Sequence, residues 1–222
     1  MKELAVNCAK CPYHWSERLC NTPDGKGLAS CPTLHKTELL KTSMKAYEDP
    51  DIGTFALNAS IQESVGYERL EGNVTKPVKT RIVETMEFAE RMKYKKLGFI
   101  FCEGLSGEAA KVEKIFSGKG FEMVSVVCKA GRTPKEDIGI KDEDKILPGT
   151  FEPMCNPVFQ AHIVNEANVD FNIIMGLCVG HDSLVIKHLD APVTILAAKD
   201  RVLGHNPMAA VYGSDCYYAF IK

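Results

Sequence analysis

The segment Phe-Asn-Ile-Ile-Met-Gly-Leu-Cys-Val-Gly-His-Asp-Ser, residues 171–183, decides the fold. Its first part, up to Cys178, is a short and mainly apolar run, which is typical of a parallel strand that is buried on both faces. A turn flanked by glycines follows, and a helical pattern then begins at His181. A buried strand, a tight turn and a helix in this order predict one unit of an α/β fold.

The same order of elements occurs on both sides of this segment. We predict three further strands, at residues 97–102, 121–128 and 193–199, and helices at 106–117, 156–168 and 181–189. Strands that alternate with helices favour a parallel sheet with helices on both faces. The predicted fold class is therefore α/β, with a small, doubly wound and mainly parallel sheet that is Rossmann-like in outline.

The pattern before residue 95 is different. Residues 1–33 contain four cysteines and show little periodicity, so we interpret them as a knuckle that is shaped by its ligands. Helical patterns follow, at residues 33–47, 53–70 and 75–93. The predicted organisation is a cysteine-rich, metal-binding knuckle plus helices at residues 1–94 and an α/β body at residues 95–222.

Charge and hydropathy exclude several classes of partner. The chain has 222 residues, and 27 Lys and Arg against 29 Asp and Glu give a formal net charge of −2. Dispersed charges of this kind predict no binding to nucleic acid, and no run approaches the roughly 20 apolar residues of a membrane span. The N-terminus shows no secretory signal, so we expect a cytoplasmic protein whose thiols stay reduced. The oligomeric state is not indicated by the sequence.

Four of the nine cysteines lie in the knuckle, at Cys8, Cys11, Cys20 and Cys31. The Cys8-x2-Cys11 pair places two thiolates in one tight turn, and the two later cysteines complete a tetrahedral set. Proline follows Cys11 and Cys31, as is common beside cluster ligands. The four residues predict a metal site that holds either Zn²⁺ or an iron–sulfur cluster. Four scattered structural thiols are the alternative.

A second group of four cysteines emerges once the strands are placed. Cys102, Cys128 and Cys178 each end a predicted strand, and ligands of open parallel sheets bind beyond the carboxyl ends of the strands. Cys155 precedes Asn156-Pro157 at a predicted helix N-terminus, where the helix dipole favours a thiolate. We predict that these four cysteines bind a cofactor, either a cluster or a metal. A redox or nucleophilic thiol site and inert core cysteines are the alternatives.

Polar residues beside this second group are the candidate catalytic residues. Two follow Cys178 and two follow the last predicted strand, and these are His181, Asp182, Arg201 and His205. They could shuttle protons or contact a substrate. Each also has a structural alternative, since Asp182 could cap a helix and Arg201 could form an ion pair within its turn.

Several motifs resemble one known family. The motifs are the Cys8-x2-Cys11 pair, Cys155-Asn156-Pro157, residues 176–183 and residues 191–207. They are similar to the domain-of-unknown-function family 1847, a family of uncharacterised, cysteine-rich, metal-binding proteins of anaerobic bacteria and archaea. The resemblance spans nearly the whole chain. It implies cysteine-bound metal and a cytoplasmic, anaerobic setting, and it implies no particular reaction.

The leading functional hypothesis is a cytoplasmic iron–sulfur protein with one or two 4Fe-4S clusters. It would act in electron transfer with a redox partner, or in cluster-assisted chemistry on a small-molecule substrate bound under a long loop at residues 129–154. A zinc ion at the N-terminal site is the alternative cofactor. The first alternative function is a thiol-dependent enzyme with Cys178 or Cys155 as nucleophile, His181 as base and a structural zinc knuckle. The second is a zinc-stabilised module that senses a ligand. Whether the protein is an enzyme stays open.

Overall fold

The computed structural model describes residues 5–222, which form two compact units. The first unit ends at Ile61 and the second covers Gln62–Lys222. The sequence analysis divided the chain after residue 94 instead. The helix before residue 94 falls in the second unit because it buries one face there, and the ring of its Phe88 lies 5.6 Å from that of Phe171 in the sheet.

The first unit contains short helices and no strand among its described residues. Its helices are α1 (Pro32–His35), α2 (Thr37–Lys45) and most of α3 (Pro50–Val65), with 3-10 turns at Cys8–Lys10, Trp15–Glu17 and Ala46–Glu48. The start of α3 is capped, because the Asp49 carboxylate accepts hydrogen bonds from the backbone N–H groups of Asp51 (2.9 Å) and Ile52 (3.2 Å). None of residues 5–61 is buried, so this part of the chain lacks a hydrophobic core of its own.

The second unit opens with a hairpin that the sequence analysis missed. Strands β1 (Tyr67–Arg69) and β2 (Thr75–Pro77) pair antiparallel around a turn at Gly72, which has a φ of +74°. The prediction of a helix from residue 75 is wrong in its first turns, since α4 spans Arg81–Arg91. Three-residue strands of exposed, largely polar residues carry too little periodicity to be recognised.

The main sheet has four strands that are all parallel. These are β3 (Lys96–Phe101), β4 (Glu122–Val127), β5 (Phe171–Met175) and β6 (Val193–Ala197), in the order β4-β3-β5-β6. Helices α5 (Ser106–Ser117), α6 (Pro157–Glu166) and α7 (His181–His188) connect them in turn, and α8 (Met208–Tyr212) follows β6. The prediction of an α/β fold with a parallel sheet and intervening helices is confirmed.

Buried apolar residues hold the second unit together. All five residues of β5 are buried, and α6 and α7 contribute Val164 and Val185 to a cluster with Ile100 and Ile174 of the sheet. A close approach requires glycine at position 98, because a Cβ there would lie 2.2 Å from Oδ1 of Asn172. The sheet is therefore fixed by dense packing.

The order of the strands sets where a site can form. The chain leaves β3 towards β4 on one side and later returns to β5 on the other, so the strand order reverses between the two central strands. In parallel sheets, ligands bind beyond the carboxyl ends of the strands at such a point. The residues that follow β3, β4, β5 and β6 therefore meet at one edge of the sheet.

The loop at residues 129–154 is tied together internally. Pro134 and Pro153 form an isolated β-bridge, and Lys135 pairs with Glu152 at 2.7 Å. The side chain of Lys145 is only 4% exposed and pairs with Asp142 at 3.0 Å, as well as with Glu136. Ion pairs of this burial make the segment an ordered lobe. Among the described residues, no helix combines the length and the apolar character needed to cross a membrane.

Candidate functional site

The four knuckle cysteines surround one cavity. Cys8, Cys11, Cys20 and Cys31 all line a space of about 80 Å³ within the first unit. A single water molecule needs roughly 10–15 Å³ by a comparable measure. The cavity is therefore large enough for a group of several atoms.

Tight turns bring these cysteines together. The Cys11 N–H donates to the Cys8 carbonyl at 3.1 Å, which closes the first turn, and the Leu19 N–H donates to the Lys26 carbonyl at 3.0 Å. Gly25 allows this second crossing, because a Cβ there would lie 2.4 Å from the backbone of Arg18. The role of this glycine was not predicted from the sequence, since it depends on a contact between two backbone segments.

A second glycine lies directly against a cysteine. A Cβ at Gly27 would lie 3.0 Å from Sγ of Cys31, which is tighter than most contacts of a real side chain. Two basic residues, Arg18 and Lys26, also line the cavity. Positive charge at the cavity favours a negatively charged bound group.

Two kinds of bound group use four cysteine ligands, a single ion and a cluster. Within residues 5–222, no three His, Cys, Asp or Glu side chains are placed so that they could hold one metal ion. A lone Zn²⁺ needs its sulfur ligands at about 2.3 Å, which draws them around one point. In a 4Fe-4S cluster, each cysteine binds a different iron atom, and the inorganic core separates the cysteine sulfur atoms.

The second group of cysteines lies at the edge of the main sheet. Cys102, Cys128 and Cys155 lie close enough for neighbouring thiols to shift each other's pKa, and Cys178 lies close enough to Cys155 to act on it electrostatically. The four cysteines thus converge at the carboxyl edge of the sheet.

Backbone hydrogen bonds hold the segments that carry these cysteines. The Cys128 N–H donates to the Phe101 carbonyl at 2.9 Å, which places Cys128 beside Cys102 at the ends of β4 and β3. The Asn156 N–H donates to the Cys128 carbonyl at 2.8 Å, which brings Cys155 alongside. The side-chain amide of Gln160, fully buried in α6, donates to the Phe101 and Val126 carbonyls at 3.2 and 2.9 Å. Gln160 was not predicted to matter, because only the three-dimensional packing shows where its amide points.

Three donors contact the sulfur atoms. Nζ of Lys199 lies 3.2 Å from Sγ of Cys102, and a guanidinium nitrogen of Arg201 lies 2.9 Å from Sγ of Cys178. The backbone N–H of Glu103 donates to Sγ of Cys128 at 3.3 Å. Lys199 was not among the predicted site residues. Its position just after β6 was the available signal, since the same rule located the cysteines.

These contacts separate the pKa values of the thiols. The hydrogen bond from Cys128 lowers the pKa of Cys155 from 9.0 to about 7, against the effect of burial and with help from the charge of Lys129. The hydrogen bond to Cys128, together with burial, raises the pKa of Cys102 to about 12. The pKa of Cys128 is also raised: the bond from Cys102 lowers it, but the bond to Cys155 and burial outweigh that effect. Cys155 is therefore the first of the three to ionise.

Thiols that lie this close together suit thiol–disulfide chemistry. The assignment of Cys102, Cys128, Cys155 and Cys178 to a bound cofactor stays a prediction.

Two of the four candidate catalytic residues follow Cys178. The backbone N–H of His181 donates to the Cys178 carbonyl at 3.0 Å, and in the described chain no hydrogen bond joins its ring to a cysteine sulfur. Oδ1 of Asp182 accepts from the backbone N–H groups of Gly180 (3.0 Å) and Ser183 (2.8 Å). Asp182 therefore shapes the turn at the start of α7.

The other two candidates lie after β6. Arg201 contacts the sulfur of Cys178, as described above. Nδ1 of His205 accepts from the backbone N–H of Asp200 at 3.2 Å, and the carboxylate of Asp200 accepts from Val202 and Leu203 at 2.9 and 2.8 Å. His205 and Asp200 thus hold the loop that presents Arg201.

Comparison with known proteins places the chain among uncharacterised relatives. The model of a family described as "Protein of unknown function (DUF1847)" matches residues 31–196. An uncharacterised protein of Methanocaldococcus jannaschii is 49% identical over 134 residues, which are 60% of this chain and 67% of that protein. No solved structure matches. The family match covers most of the chain, which therefore belongs to the DUF1847 family of proteins of unknown function.

Proposed function

We propose that this protein is an iron–sulfur protein in which Cys8, Cys11, Cys20 and Cys31 hold one cluster. The observation that carries the proposal is the shared cavity of about 80 Å³ that all four cysteines line. Four cysteine thiolates are the usual ligand set of a 4Fe-4S or 2Fe-2S cluster. The basic side chains of Arg18 and Lys26 at the cavity suit the negative charge of such a group.

The lack of a core in the first unit supports the same proposal. None of residues 5–61 is buried, so apolar burial contributes little to their fold. A bound metal group supplies folding free energy directly, because the unfolded chain has no preformed site. A cluster would therefore account for how so open a segment adopts one conformation.

The role we propose is electron transfer or cluster-assisted chemistry on a small molecule. A bound iron–sulfur cluster exchanges electrons at a potential set by its charge, its hydrogen bonds and its exposure to solvent. In this chain the four cysteines would hold the group, and Arg18 and Lys26 would stabilise its negative charge. A reducing cytoplasm suits the proposal, since all nine cysteines are free.

The test is a metal and sulfide count on full-length protein purified without oxygen. We expect about four iron and four acid-labile sulfide atoms per chain, with visible absorption that disappears on oxidation. One zinc per chain with no iron would overturn the proposal and favour a structural zinc knuckle. About eight iron atoms would contradict the assignment of one cluster and would show that the sheet-edge cysteines also bind one.

A further inference from the structure

We propose that Cys128 and Cys155 form a redox-active dithiol that exchanges with small disulfides bearing carboxylate groups. Cys155 attacks the substrate disulfide, and Cys128 resolves the mixed disulfide that results. This inference goes beyond the iron–sulfur proposal and does not depend on it. It concerns only residues of the second unit.

The backbone places the two cysteines side by side. The hydrogen bond of 2.8 Å from the Asn156 N–H to the Cys128 carbonyl joins the two segments next to these residues. A disulfide requires Cβ atoms that are about 3.5–4.5 Å apart, so only cysteines on neighbouring backbone segments can form one without a large rearrangement.

Accessibility assigns the two roles. Cys128 is only 1% exposed and packs in the cluster of apolar residues on the α6 and α7 face of the sheet. Cys155 is half-buried and sits just before the N-terminus of α6, where the helix dipole favours a thiolate. A substrate in solution can therefore reach the sulfur of Cys155, while Cys128 is accessible only to a group already attached at Cys155.

The reaction is a two-step thiol–disulfide exchange. The Cys155 thiolate attacks one sulfur of the substrate R–S–S–R, which forms a Cys155–S–S–R bond and releases RS⁻. Cys128 then gives up its proton and attacks the Cys155 sulfur, which forms a Cys128–Cys155 disulfide and releases the second RS⁻. Both RS⁻ groups take up protons. Two protein thiols are oxidised, and one substrate disulfide is reduced to two thiols.

Charge at the site selects the class of disulfide. Arg201 contacts Cys178, Lys199 contacts Cys102, and the charge of Lys129 acts on Cys155. The nearby carboxylates of Asp182 and Asp200 accept hydrogen bonds from backbone N–H groups of their own turns. Arg201 and Lys199 therefore face sulfur atoms, while Nζ of Lys129 donates to the Pro153 carbonyl. The positive charge of these three residues favours a negatively charged disulfide.

The first experiment uses dithiodiglycolate as the probe, with full-length protein kept free of oxygen and its bound metal intact. Whole-protein mass and peptide mapping follow the products over time. We expect wild type to lose two mass units and to show a Cys128–Cys155 crosslink. We expect Cys155→Ser to react at least tenfold more slowly, and Cys128→Ser to accumulate the mixed disulfide at Cys155. Cys216→Ser is the matched control, since it changes an exposed cysteine whose thiol donates to the Gly213 carbonyl.

The outcomes separate this inference from the iron–sulfur proposal. A wild-type rate in Cys155→Ser, or a crosslink in wild type that joins other cysteines, would overturn the assignment. The crosslink is measured on wild type, so a folding defect in Cys128→Ser leaves the test intact. Iron is counted on the same samples. An absence of iron from untreated wild type would contradict the iron–sulfur proposal and leave the dithiol proposal unaffected.

The second experiment tests the substrate class with a pair of disulfides of opposite charge. Dithiodiglycolate is a dianion and cystamine is a dication. For each probe, the reaction rate of wild type is divided by the reaction rate of the Arg201→Gln variant. We expect this ratio to be several-fold above one for dithiodiglycolate and at or below one for cystamine. Equal ratios for the two probes would overturn the preference for carboxylate-bearing disulfides.

Discussion

The two groups of cysteines both have basic residues beside them but differ in their surroundings. The knuckle cysteines line a cavity and lie in a segment without buried residues. The sheet-edge cysteines lie close together at the end of a densely packed sheet. The difference teaches that the number of cysteines does not predict how their side chains are arranged or how deeply they are buried.

The largest expected effect comes from removing the cluster that we propose for the knuckle. Treatment with an iron chelator should unfold residues 5–33 and leave the main sheet folded, because metal binding contributes on the order of 10 kcal/mol to folding in small metal-dependent segments. Hydrogen exchange followed by mass spectrometry measures both parts in one sample. Amides of residues 5–33 should exchange rapidly after chelation, while those of β3 and β5 stay protected. If the protection of residues 5–33 did not change, the knuckle would not depend on bound metal for its folding, and the proposed difference between the two regions would be wrong.

The converse change tests the sheet. Phe99→Ala should destabilise the second unit by about 3–5 kcal/mol, since the side chain is fully buried and its loss leaves a cavity. Denaturant unfolding monitored by far-UV circular dichroism gives the free energy, and the iron content of the folded variant should match that of wild type. The exposed substitution Leu39→Ala is the control and should cost well under 1 kcal/mol. A parallel loss of iron in Phe99→Ala would argue that the knuckle depends on the sheet.

Reactivity towards iodoacetamide sharpens the comparison at the level of single thiols. The rate of alkylation of Cys155 should rise with pH around a midpoint of about 7, because the thiolate is the reacting form. This pKa lies below its ordinary value, so ionised Cys155 stabilises the fold. That contribution is complete above pH 9 and is lost as the pH falls through 7. Peptide mapping measures the rate at each pH.

Lys129→Gln is the informative variant for this measurement. Loss of its positive charge should move the midpoint for Cys155 to higher pH, since the charge of Lys129 lowers that pKa. A midpoint near 9 in wild type would show that Cys155 is an ordinary thiol. The assignment of the sheet-edge cysteines to thiol chemistry would then lose its support.

The smallest effect is expected at Gly27. A methyl group there would lie 3.0 Å from Sγ of Cys31, so Gly27→Ala should shift this sulfur by a few tenths of an ångström. The iron content of the knuckle should fall by less than half. Gly107→Ala is the control, because a Cβ at that position meets no atom within 4 Å. Iron per chain is the readout for both. Equal values in the two variants would show that Cys31 is not held against this glycine.

Much of the second unit follows from the sequence, and the reasons are local. The buried strands appear as short apolar runs between helical patterns, and the rule for the ends of parallel strands located Cys102, Cys128 and Cys178 at one edge. The β1–β2 hairpin was missed because its strands have three exposed residues each. Gln160 was missed because its function depends on which carbonyls its buried amide meets.

The knuckle illustrates the opposite limit. The spacing of its cysteines predicted a shared site, and the structure shows that all four line one cavity. The spacing left open whether that site holds a single ion or a larger group. The answer depends on how two backbone segments cross at Gly25. Contacts between distant backbone segments leave no periodic signal in the sequence.

The most direct test of the account counts iron in two double variants. Cys11→Ser with Cys20→Ser removes half of the knuckle set, and Cys102→Ser with Cys178→Ser removes the same number of thiols from the sheet edge. Both proteins are purified without oxygen beside wild type, and iron and acid-labile sulfide are measured per chain. We predict that the first variant loses nearly all of its iron and that the second keeps the wild-type content. Retained iron in the first variant, or loss of iron in the second, would contradict the account.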